Sequence, residues 1–142
     1  MKAKNFIKFE CQKFKIPIPS IKSLQKIKGE LGNVWISKYG RSYSVTTQTI
    51  YATGKSKKQY IDQLIHEFSH YIDHRKHTAR FKKFKDMFIM KPDPYDPVYH
   101  DKTFFNILIE VIKDYYGDTD KYNWEEDYYH FLDYYKEYKE GK

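Results

Sequence analysis

Lysines alternate with Phe6, Ile7, Phe9 and Phe14 over residues 1–15, an amphipathic segment that Pro17 and Pro19 end. Ser20 then stands where a helix cap belongs, which predicts a helix to about Leu31, stopped by Gly32-Asn33. Residues 34–53 change character. Val34, Trp35, Ile36, Tyr43, Val45, Ile50 and Tyr51 are β-branched or aromatic and Gly40 interrupts them, predicting two or three short antiparallel strands. Gly54 and Ser56 lead into the clearest helical pattern, residues 57–75. There Ile61, Ile65, Phe68 and Ile72 make one apolar stripe, with Leu64 and Tyr71 at its edge. Residues 78–89 predict a second helical stretch, and Pro92, Pro94 and Pro97 an extended loop after it. Phe104, Leu108, Val111 and Tyr115 predict a helix over 102–116 that Gly117 closes, and residues 124–138 a last, aromatic-rich helix. The expected architecture is α+β: a small antiparallel sheet of short strands packed with several helices.

At 142 residues, with no repeat, low-complexity segment or Gly/Ser-rich linker, the chain fits one domain with a core of its own. The single Cys11 excludes an internal disulfide and a cysteine zinc site. Residues 1–15 lack the unbroken apolar run of a signal peptide, and no apolar stretch approaches a membrane span. A soluble, intracellular protein of a reducing compartment is expected, with no membrane partner.

The formal charge of +7 invites a nucleic-acid reading. Of the 26 basic residues, however, only Arg41, Arg75 and Arg80 are arginine, the residue suited to bidentate phosphate contacts. Abundant lysine beside many Tyr, Phe and Ile is the residue usage of AT-rich coding. The charge supports non-specific DNA attraction at most.

Residues 66–70 read His-Glu-Phe-Ser-His. Histidines at i and i+4 stand one above the other on a helix, so both imidazoles can reach one metal ion. At about 100° per residue they point away from the apolar stripe, leaving one face to pack and the other to present ligands. Glu67 is placed to take a proton from a zinc-activated water and deliver it to a leaving amine.

A catalytic zinc needs a third protein ligand and an open position. His74 lies too far along the same helix axis. His77, His100 and, less well, Glu110 remain; a metzincin third ligand would fall on Lys76, which excludes that class. Both histidines have a phenylalanine four residues later.

The strands, then Gln63-Leu64-Ile65-His66-Glu67-Phe68-Ser69-His70, then a histidine opening an apolar helix, resemble the SprT-like zincins, which include the Spartan-type proteases of DNA-bound proteins. The resemblance covers about residues 30–117. It implies a zincin fold, Zn2+ held by His66, His70 and a histidine at the start of the next helix, and Glu67 as general base. His100-Asp101-Lys102-Thr103-Phe104 fits that layout, so His100 is the favoured third ligand and His77 the alternative. Asp101 stands where the family has glycine, the gap from His70 is long, and no cysteine-rich ribbon follows.

The expected function is therefore a zinc-dependent endopeptidase acting on a protein or peptide substrate, with the family's nucleic-acid-associated proteins as one substrate class. Two alternatives stand beside it: a metal-stabilised module that binds nucleic acid or protein, and a dedicated protease for one regulatory protein, such as a phage or mobile element carries. Tyr71, Tyr95, Tyr99 and Tyr115 are candidates for oxyanion stabilisation. Trp124, Tyr128, Tyr129, Phe131, Tyr134 and Tyr135 are either a base-stacking platform or, preferably, the packing face of a terminal helix.

Overall fold

The computed structural model describes residues 2–23, 41–45, 47–54, 56–81, 100–124 and 128–141. Its elements are α1 (Ala3–Phe14), β1 (Ser20–Ser23), β2 (Arg41–Ser44), β3 (Thr49–Ala52), α2 (Lys57–Lys76), a 3-10 turn (Thr78–Phe81), α3 (Lys102–Tyr116), a second 3-10 turn (Thr119–Lys121) and α4 (Tyr128–Lys139). The α+β class is as expected.

The sheet is mixed rather than antiparallel. β3 is central, antiparallel to β2 and parallel to β1, in the order β1-β3-β2. The departure comes from residues 20–23: Ser20 opens an extended segment instead of capping a helix, and Ile21 pairs with Ile50. The rest of the helix expected to Leu31 lies outside the described residues, as do the strand expected over 34–40, the proline loop and most of the stretch expected over 78–89. Of that stretch, residues 78–81 form only a single 3-10 turn.

One hydrophobic cluster joins every layer: Phe6 and Ile7 from α1, Tyr43 and Ile50 from the sheet, Ile61 to Ile72 from α2, Phe104 to Ile112 from α3, and Phe131 from α4. It reaches beyond residues 30–117 on both sides. α1 is tied to α3 by Lys13, whose ammonium lies 2.6 Å from Asp114 and 2.9 Å from Glu110. Beneath that pair Glu10 is wholly buried. Burial, and then the neighbouring Asp114 carboxyl, push its pKa up to about 8. No helix among the described residues is long and apolar enough to cross a membrane.

Candidate metal centre

The chain passes from the central strand straight into the helix that carries the histidines. Thr53 N–H donates to the Gln63 Oε1 at 3.0 Å. Gly54 lies so close to the first turn of α2 that a Cβ there would meet Tyr60 N at 2.2 Å, which no side chain allows. Ser56 Oγ then accepts from Gln59 N–H at 3.1 Å, capping the helix. His66 and His70 follow in its third and fourth turns.

α2 differs from a half-exposed amphipathic helix, because all residues from Ile61 to His74 are buried. The apolar stripe packs on the sheet and core, and the face carrying His66 and His70 is covered in turn. Asp62, one turn before His66, holds that second contact. Its carboxylate accepts from Tyr116 Oη at 2.5 Å, Lys58 Nζ at 2.8 Å and Asn123 N–H at 3.0 Å, joining α2 to the end of α3 and the segment beyond it. A buried carboxylate needs such donors to remain there.

His100 reaches the same place from the other side. Asp101 caps α3, its carboxylate accepting from Phe104 N–H at 3.1 Å, and His100 is the residue immediately before that cap. Gly117, at φ 76°, ends the helix in the left-handed conformation that favours glycine. Asp101 thus does the local work of fixing where the helix starts.

The rings of His66, His70 and His100 converge: centroids are 5.0 Å apart for 66–70, 5.5 Å for 66–100 and 4.9 Å for 70–100. One ring nitrogen from each lies within 4.8 Å of the other two. A tetrahedral zinc with bonds near 2.0–2.1 Å spaces its ligand nitrogens about 3.4 Å apart. The three imidazoles need to close by no more than about 1.5 Å, within reach of rotamer adjustment. The donor set therefore fits one metal ion. Phe104 stacks on His70 at 4.1 Å, with the rings 19° from parallel, limiting that imidazole's freedom. Glu67 is buried beside the cluster, its Oε2 3.6 Å from His66 Nε2.

The other candidates are engaged elsewhere. His77 terminates α2, its Nδ1 2.9 Å from the buried Asp73 carboxylate, with 45 % of its side chain exposed. His74 is buried, with Nδ1 2.7 Å from Tyr43 Oη. Burial, and then the Arg75 charge, lower its pKa below the ordinary histidine value, keeping it neutral. Glu110 pairs with Lys13 at 2.9 Å. Among the oxyanion candidates, Tyr71 Oη donates to Pro17 O at 2.5 Å, and Tyr115 packs edge-on against Phe6 and Tyr116. Tyr95 and Tyr99 lie outside the described residues.

The terminal aromatics pack inward where they are described. Trp124 is buried and stacks on Tyr135 at 4.4 Å, and Tyr134 lies 5.6 Å from Phe105. The side chains of Tyr128, Tyr129 and His130 lie outside the described residues. Phe131, wholly buried, sits against the candidate ligands themselves, 5.8 Å from the His100 ring and 6.4 Å from that of His66. Sequence alone gives Asp62 no role and Phe131 only a place in the aromatic run; Tyr116 and Asn123 for the one, and His66 and His100 for the other, lie tens of residues away.

No family model, no curated protein and no solved structure matches the chain.

Proposed function

We propose that the chain is a zinc-dependent endopeptidase of the SprT-like kind, with His66, His70 and His100 as metal ligands and Glu67 as general base. The observation that carries this reading is the convergence of three imidazoles from α2 and the start of α3, with a buried carboxylate beside them. Bound there, zinc would supply Lewis acidity, polarising a peptide carbonyl and drawing the pKa of a coordinated water towards neutral. The chain's own residues do the rest. Glu67 accepts the proton of the attacking water and returns it to the departing amine, while the stacked Phe104 and the Asp101 cap keep His70 and His100 aimed at one point. β2 is an edge strand among the described residues, and an extended substrate would pair along it.

A structural zinc takes four protein ligands. Three histidines with an acid beside them suit catalysis better than a binding module, among the described residues. The lysine charge supports a DNA attraction that weakens as salt is raised, and cleavage unaffected by DNA at low salt would favour the dedicated regulatory protease.

The test is Glu67→Gln against a peptide mixture, with metal content measured in parallel. The variant should keep its zinc and lose hydrolysis by about 10²–10⁴-fold, since the amide cannot accept the proton. Undiminished hydrolysis would remove Glu67 from the mechanism.

A further inference from the structure

Hydrolysis needs a peptide to reach Glu67, yet His66, Glu67 and His70 are all buried. α4 supplies one direct reason. Its Phe131 ring lies 5.8 Å from His100, 6.4 Å from His66, 5.6 Å from Phe104 and 5.7 Å from Phe105. Among the described residues the rest of its attachment is shallow. Of its described side chains only Phe131 is buried; Tyr134, Tyr135 and Tyr138 are half-buried against the core. Two ion pairs, Lys102–Glu137 at 3.2 Å and Lys139–Asp120 at 3.0 Å, join exposed groups, and Tyr135 Oη donates to the exposed Asp120 carboxylate. Exposed pairs hold an element weakly, so among the described residues α4 rests on its aromatic contacts, of which Phe131 is the most deeply buried. An element held in this way belongs to the part of a fold that opens locally before the core does.

We infer that α4 is a displaceable cover over the metal centre, and that the place filled by Phe131 is a substrate subsite for a large apolar or aromatic side chain beside the scissile bond. The inference rests on the endopeptidase reading. Its chemistry follows from the described walls that Phe131 touches: Phe104, Phe105 and the rings of His66 and His100 present aromatic surface, which favours an apolar or aromatic side chain. A substrate residue entering there replaces Phe131 with like for like. The closed form lowers apparent substrate affinity by the fraction of molecules that are open.

The experiment compares wild-type protein with Phe131→Glu, which expels the ring, Phe131→Ala, which retains an apolar helix face if the first variant misfolds, and Leu132→Glu. Leu132 is 49 % exposed on the same helix and serves as control. Carbethoxylation of His66 and His100 by diethyl pyrocarbonate, read by mass spectrometry on metal-free protein, reports access independently of catalysis. Cleavage of a peptide library by the zinc-loaded proteins reports the subsite. Both Phe131 variants should be modified about tenfold faster or more, and should cleave faster, at bonds flanked by Phe, Tyr, Leu or Met. The Leu132 variant should match wild type in both. Equal modification rates would overturn the cover even if wild-type protein hydrolyses peptides, leaving the endopeptidase reading intact. Faster modification with cleavage indifferent to apolar residues would overturn the subsite. Faster modification with no hydrolysis by any variant would remove the endopeptidase reading and the subsite with it, and would leave the cover standing.

Discussion

Four histidines ride on α2 or cap its end, at positions 66, 70, 74 and 77, and they divide into two pairs with different fates. His66 and His70 meet a third imidazole carried by the start of α3. His74 and His77 meet oxygens instead: Tyr43 Oη from the sheet and Asp73 from their own helix. Residue type and helical spacing do not separate the pairs, since 66, 70 and 74 repeat at the same interval of four. The element packed opposite does. Where a third ring nitrogen comes across, the cluster can hold a metal ion; where a hydroxyl or carboxylate comes across, the histidine becomes a structural hydrogen-bonding group.

That comparison predicts opposite consequences for opposite ends of one helix. His74→Ala removes a buried ring and its hydrogen bond with the Tyr43 hydroxyl, costing about 2–3 kcal/mol in thermal or urea unfolding, with zinc stoichiometry unchanged. Loss of zinc in this variant would break the division. The pH response sharpens it. Because burial lowers the pKa of His74, its unfolded form binds a proton that the folded form refuses. Its stabilising contribution is therefore complete above about the ordinary histidine value of 6.5 and drains away as pH falls below it. Metal-free His74→Ala should lose that part of the acid sensitivity, measured as melting temperature against pH, while His77→Ala should retain it. Glu10 acts in the other direction. Its raised pKa, about 8 against an ordinary 4.5, means the folded state holds the proton longer, so stability falls as pH rises between those values. Glu10→Gln should flatten that limb.

Smaller effects follow at the edges of the same network. Tyr43→Phe keeps the packing and removes one hydrogen bond to His74, a loss of about 1 kcal/mol in chemical denaturation. His77→Ala should cost no more than about 1 kcal/mol, because its ring is half exposed and its role is to close the helix end near Asp73.

What was legible beforehand follows the range of the interaction. The helix from Lys57 is a local pattern and stands as expected, and it carries the His66–Glu67–His70 motif on buried positions. The start of α3 is legible too, although the resemblance marks Asp101 only as a replaced glycine and does not show it as the cap that fixes His100. The parallel pairing of β1 was not legible, because Ser-Ile-Lys-Ser offers one apolar residue and its strand partner lies at Ile50. Nor was the Asp62 clamp, whose partners Tyr116 and Asn123 are more than fifty residues away. The aromatic run near the C-terminus pointed correctly to packing for Trp124 and Phe131, but periodicity alone does not say that Phe131 would face the rings of His66 and His100.

The central claim is that His100, and not His77, completes the site with His66 and His70. Zinc titration by competition with a chelating indicator, on wild type, His100→Ala and His77→Ala, tests it most directly. Wild type and His77→Ala should bind one zinc per chain with the same affinity, and His100→Ala should bind at least about a hundredfold more weakly. Unchanged affinity in His100→Ala, with the loss falling on His77→Ala, would contradict the account.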